Sequence, residues 1–171
     1  MTAPEFSRLV DVRQADGLVQ QLVPTADERA ALARRFALVS IDSLSAELVL
    51  ARKDRTVSAT GRLLAEIVQS CAVSGEDLPV SIDEPLAFRF VPEADHAPGE
   101  EEVELDAEDC DEIDYSGSHV DIGEAVAQSL ALAIDPYAEG PGAEEARRRA
   151  GLLDESATGP FAALTALKKP R

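Results

Sequence analysis

Ser43-Leu44-Ser45-Ala46-Glu47-Leu48-Val49-Leu50-Ala51-Arg52-Lys53-Asp54-Arg55-Thr56-Val57-Ser58-Ala59-Thr60-Gly61-Arg62-Leu63 is the stretch whose reading decides the fold. Side chains along a strand alternate between its two faces. Leu44, Ala46, Leu48 and Leu50 therefore share one face, and Ser43, Ser45 and Glu47 the other. A polar turn at Arg52-Lys53-Asp54-Arg55 follows. Val57, Ala59, Gly61 and Leu63 then alternate with Ser58, Thr60 and Arg62. Two alternating runs joined by a polar turn predict an antiparallel hairpin with one buried face.

Upstream, Phe6 to Val12 alternates and predicts a first strand. Thr25 with Glu28 three residues later is a capping box, which predicts a helix over Asp27–Leu38. Leu32, Phe36 and Val39 fall on one face of that helix, with Arg29, Arg34 and Arg35 largely off it. Downstream, Leu78 to Val91 predicts a third strand, interrupted near Asp83-Glu84-Pro85. Pro85 has no amide hydrogen and belongs at an edge or a bulge. Ile122, Ala125, Val126, Leu130 and Ala133 follow helical spacing between a capping Asp121 and a terminating Pro136. Gly140-Pro141-Gly142 reads as a linker. Ala143–Ala150 reads as a short exposed helix with Glu144–Arg148 and Glu145–Arg149 pairs and Gly151 as its stop.

The expected fold class is α+β: a small antiparallel sheet, open or curled toward a barrel, packed by two amphipathic helices. Residues 1–137 form one domain. Within it, Pro92–Asp109 is dense in like charge and poor in large apolar residues, which predicts a loosely held acidic loop. Residues 138–171 supply the linker, the exposed helix and a weakly structured tail with a docking motif at its end.

The chain has 171 residues, 45% of them hydrophobic, but only five Phe, two Tyr and no Trp, so its core is mainly aliphatic. No apolar run approaches the roughly 20 residues that cross a bilayer, and Met1–Ser7 lacks the pattern of a signal peptide. Cys71 and Cys110 make no disulfide framework, and the expected compartment is a reducing cytoplasm. Acids outnumber bases 33 to 16, a net charge of −17. Twelve of those acids lie between Glu93 and Asp114, where there is no Lys or Arg. Such a segment repels phosphate backbones and attracts basic partners.

No residue set favours catalysis or a metal. Cys71 lies on the predicted strand in apolar company, where a free thiol acts as a small hydrophobe. Cys110 sits among acids, which disfavour a thiolate. His96 and His119, the only histidines, have no nucleophile at short spacing. Asp109, Asp111 and Asp114 invite a calcium loop, but Ile113 stands at a ligand place, Asp114 where glycine is required and Val120 at the twelfth position.

Three features in order resemble the YceD family of large ribosomal RNA subunit accumulation proteins. A single cysteine in Gln69-Ser70-Cys71-Ala72-Val73 leads into an extended segment ending Phe88-Arg89-Phe90-Val91-Pro92. His119-Val120-Asp121-Ile122-Gly123-Glu124-Ala125-Val126 follows the acidic segment and runs through Leu130-Ala131-Leu132-Ala133-Ile134 to Pro136, similar to the family's Ile-Asp-Leu helix opening and Leu-Ala-Leu-Pro close. Pro160-Phe161-Ala162-Ala163-Leu164, then Leu167-Lys168-Lys169, is similar to its C-terminal ending. The resemblance covers residues 38 to 169 and marks Cys71, Asp121, Pro160, Phe161, Leu164 and Leu167 as family-motif residues. Many members carry a second cysteine three residues after the first. Here that place is Ser74, so a Cys-x-x-Cys metal or redox site does not carry over.

The resemblance implies a non-enzymatic ribosome-biogenesis factor that supports accumulation of large-subunit (23S) ribosomal RNA, with no cofactor. Glu100, Glu101, Glu102, Glu104, Asp109 and Asp111 are the candidate partner-binding residues, suited to a basic ribosomal or assembly protein. The alternative is a direct RNA-binding module in which Arg34, Arg35, Arg52, Lys53 and Arg55 form one basic patch. That patch requires the helix end and the hairpin tip to be neighbours.

Overall fold

The computed structural model describes residues 4–93 and 111–151. In chain order its elements are β1 (Leu9–Asp11), a 3-10 turn (Val12–Gln14), β2 (Val19–Leu22), α1 (Ala26–Arg35), β3 (Ser40–Lys53), β4 (Thr56–Ser70), β5 (Asp77–Pro92), β6 (Asp111–Tyr115), β7 (His119–Asp121), α2 (Ile122–Ala133) and α3 (Ala143–Arg149). They form a mixed α+β fold with two sheets. One is the ribbon β1–β7; the other has five strands in the order β2-β3-β4-β5-β6. The edge strands β2 and β6 do not pair, so the larger sheet is open rather than closed into a barrel.

The hairpin is longer than its alternating core. Lys53 faces Thr56 across the turn and Ser40 faces Val68 at the far end. Asp54 turns the chain with φ of 56°, a left-handed conformation that Asp tolerates better than most residues. Leu44, Ala46, Leu48, Leu50, Val57, Ala59, Leu63, Ala65 and Ile67 are buried, while Glu47, Val49, Ser58, Thr60, Arg62 and Leu64 face solvent. One face of the sheet thus carries the core, and the other is wet, as antiparallel sheets allow.

Three expectations need correction. β5 is not interrupted at Asp83-Glu84-Pro85; it pairs with β4 without a break from Asp77 to Phe90. Pro85 is tolerated because β6 joins β5 only from Phe88 onward, which leaves Pro85 on an edge. The sheet is not purely antiparallel, because β6 runs parallel to β5. The charge of Asp111–Tyr115 hides a strand whose Ile113 is half-buried and whose Tyr115 is buried. The first strand is also shorter than Phe6–Val12. Phe6 is fully buried, but outside the strand.

Thr25 and Glu28 form the complete capping box at the start of α1. The helix ends three residues before the expected Leu38, because Ala37 adopts a left-handed φ of 55°. Its end is a Schellman arrangement: the Leu38 amide donates to the Ala33 carbonyl at 2.9 Å and the Ala37 amide to Arg34 at 3.4 Å. Leu32 and Ala33 enter the core. α2 begins on Asp121 and buries Ile122, Ala125, Val126, Ala127 and Leu130. Among the described residues no helix is long and apolar enough to cross a membrane.

Candidate functional site

The family-motif residues within the described chain sit at two anchor points. Asp121 joins the N-terminal segment to α2. Its Oδ1 accepts from the amides of Arg8 at 2.8 Å and of Gly123 and Glu124 at 3.1 Å, and its Oδ2 accepts from the Ser7 hydroxyl at 2.5 Å. Gly123 must lack a side chain, because a Cβ there would stand 2.7 Å from both the Phe6 carbonyl and the Arg8 amide.

Cys71 is the second anchor, and its surroundings differ from the expected strand. It follows β4 and opens a tight turn into β5. The thiol is 4% exposed. Its Sγ accepts from the amides of Ser74 at 3.3 Å, Gly140 at 3.4 Å and Val73 at 3.5 Å. The Ser74 side-chain hydrogen bond is the largest influence, followed by the Gly140 amide. Together these donors outweigh burial and lower the thiol from its ordinary value of 9.0 to about 7. Cys71 thus sits buried in a nest of amide donors that favour its anion. Ser74, at the place where many family members have cysteine, is one of its donors.

The nest is closed by a segment that reads as a linker in the sequence. Ala72 donates to the Ala138 carbonyl at 2.9 Å, and the Gln69 amide donates to Asp135 at 2.8 Å. The Gly142 amide donates to Glu76 Oε1 at 2.8 Å. A Cβ at Gly140 would collide with Glu76 and Leu78, and one at Gly142 would lie 2.7 Å from Glu76 Oε2. These glycines permit close approach rather than freedom. The strap crosses the expected boundary after Tyr137 and ties α3 to the sheet. Both Glu144–Arg148 and Glu145–Arg149 pairs are present on α3. Sequence reasoning missed Gln69, Glu76, Gly140 and Gly142. The two glycines flanking Pro141 were the available signal.

The structure does not gather the candidate RNA-binding residues. Arg34 and Arg35 end α1 beside the start of β3, whereas Arg52, Lys53 and Arg55 lie at its other end, roughly 40 Å away along a 14-residue strand. Arg35 is committed to the fold. It bonds Glu124 at 2.7 Å and Glu5 at 2.9 Å, and the Glu124 carboxylate chiefly raises its pKa. At the hairpin tip an open cavity of about 520 Å³ is lined by Lys53, Asp54, Arg55, Thr56, Ser58 and Arg89. Acids meet these cations: Arg89 pairs with Glu112 at 3.0 Å. Asp111 opens β6. Glu100, Glu101, Glu102, Glu104, Asp109, Pro160, Phe161, Leu164 and Leu167 lie outside the described residues, as do Cys110 and His96. Among the described residues no group of three or more His, Cys, Asp or Glu is placed to hold a metal ion.

No curated protein and no solved structure matches the chain. A family model described as large ribosomal RNA subunit accumulation protein YceD matches residues 59–168, more than half of the chain. Both anchors and the motif residues Pro160, Phe161, Leu164 and Leu167 fall inside that span, and the chain belongs to the YceD family.

Proposed function

We propose that the protein is a non-enzymatic, cytoplasmic ribosome-biogenesis factor whose acidic stretch engages a basic ribosomal or assembly protein, with RNA contacted indirectly. The observation that carries this reading is the concentration of 12 acids and no base between Glu93 and Asp114. A chain segment of that charge draws Lys/Arg-rich tails and repels phosphates. The geometry supports the same preference. The stretch is tethered at Glu93 and Asp111, both toward the hairpin-tip end of the sheet, where Arg89 is already paired. The five bases considered for RNA form no common patch, and Arg35 is engaged by two carboxylates.

Replacing Glu100, Glu101, Glu102 and Glu104 together with Gln tests the reading by co-purification at low and high salt, identifying bound protein and RNA. Recovery of basic proteins should fall in the variant. In the wild type it should weaken steeply with salt, because exposed charges are screened over about 8 Å at physiological ionic strength. Tighter RNA association with unchanged protein partners would overturn the proposal in favour of direct RNA binding. In that case Arg34→Ala should weaken the RNA complex.

A further inference from the structure

The two most exposed large hydrophobic residues among those described lie at or just beyond the end of α2: Leu132 at 81% and Tyr137 at 80%. Leu132 stands on the wall of an open groove of about 220 Å³ between α2 and β5. Ser129 and Ala133 continue that wall, and Glu84, Pro85 and Leu86 form the other. β6 joins β5 only from Phe88 onward, so this part of β5 has β4 on one side and no described strand on the other. Glu84 is the one acid in the lining and makes no ion pair among the described residues, whereas Asp83 beside it is taken by Arg62.

The described chain stops near this groove. Gln69 holds the Asp135 carbonyl, two residues after Ala133, and faces Leu78 across the β4–β5 ladder. Leu78 in turn lies against Gly140, just before α3. The seven residues of α3 span about 10 Å, and 20 residues follow Gly151. The first ten of them, to Phe161, extend to roughly 33 Å, so Phe161 is within reach of the groove. Phe161, Leu164 and Leu167 recur every third residue, the spacing of neighbours on one helical face. A helix so short is not stable alone in water and needs a surface to cover.

We propose that residues 160–168 of this chain dock as a short helix in the groove between α2 and β5. Phe161, Leu164 and Leu167 then pack on Leu132, Ala133 and Pro85. Lys168, seven residues after Phe161, returns to the same helical face and brings its ammonium to Glu84. The groove between α1 and β3 fits this tail less well. It is lined by Arg29 and Arg34 with no acid, and these repel Lys168, Lys169 and Arg171. The family match favours the same pairing: residues 59–168 contain both walls of the α2–β5 groove and the tail motif, and none of α1 or β3. The contact does not depend on what the acidic stretch binds, so it stands or falls independently of the proposed basic partner.

The test uses the full chain, labelled with nitrogen-15 and followed by NMR. Backbone amides of residues 161–167 should exchange with solvent at least about tenfold more slowly in the wild type than in Leu132→Gln, because a docked segment must open first. Leu132 is exposed, so that variant should leave the resonances of the β3–β4 hairpin unmoved. Phe161→Ala should shift the amide resonances of residues 84–86 and 129–133 and leave those of residues 39–41 in place. The protection should be independent of protein concentration, as an intramolecular contact requires. Tail amides that exchange equally fast in the wild type and Leu132→Gln overturn the proposal. So do Phe161→Ala shifts confined to the α1–β3 groove, or protection that rises with protein concentration, which would place the tail in a second copy's groove.

Discussion

Cys71 shows how much a single residue's chemistry depends on what folds around it. In the unfolded chain its thiol ionises near 9.0, and in the native nest near 7, because Ser74 and three backbone amides hold the anion. A folded-state pKa below the unfolded one makes ionisation stabilising at high pH. The contribution is full above about 9 and is lost as pH falls through about 7. The difference in unfolding free energy between wild type and Cys71→Ala should therefore widen as pH rises from about 7 to about 9, read by urea denaturation at fixed ionic strength. A difference constant over that range would mean that the thiol stays neutral in the native state. Glu28 follows the same rule at lower pH. The Arg8 guanidinium chiefly holds it at about 2, so its contribution is present above its ordinary value of 4.5 and fades as pH approaches 2.

At the scale of elements, the β3–β4 ladder depends on one glycine. Gly61 lies opposite Leu48, and a Cβ on it would collide with the Glu47 backbone carbonyl. A backbone atom cannot swing aside as a side-chain terminus can, so the strands must separate locally. Gly61→Ala should therefore destabilise the protein, by at least about 2 kcal/mol if the cost resembles other overpacked sites. Chemical denaturation measures this, and a neutral result would show that the strands accommodate a methyl group there. β5 makes the complementary point. Pro79 and Pro85 are six residues apart, so their nitrogens point to the same edge. Because the ladder to β4 is unbroken, that edge is the open one, and it lacks two donors that a stray strand would need.

For the molecule as a whole, stability rests on ties between distant parts of the chain. Ser7 and Arg8 bond Asp121 across more than 110 residues, and Arg35 links Glu5 with Glu124. Asp121→Ala removes the cap of α2 and also strands the Ser7 and Arg8 donors. Cap loss alone costs about 0.5–2 kcal/mol, and an unsatisfied donor about 1–3 kcal/mol. The variant should lose roughly 2–4 kcal/mol by urea denaturation, with Asp121→Asn recovering part of it because an amide oxygen still accepts. A loss below 1 kcal/mol would mean that water replaces the carboxylate freely.

Whatever depends on neighbours in the chain was legible without coordinates. Period-two alternation set the hairpin and its buried face, Thr25 and Glu28 set the start of α1, and Asp121 with Pro136 bounded α2. These are local rules, written within a few residues. The end of α1 escaped because Ala37, not glycine, takes the left-handed position. β6 escaped because its charge outweighs a short apolar pattern and its parallel partner is distant in sequence. The amide nest of Cys71, the strap through Gly140 and Gly142, and the separation of Arg34 from Lys53 are relations between remote segments. Periodicity carries no information about such relations, because nothing in a local pattern specifies which backbone amides will surround a given side chain.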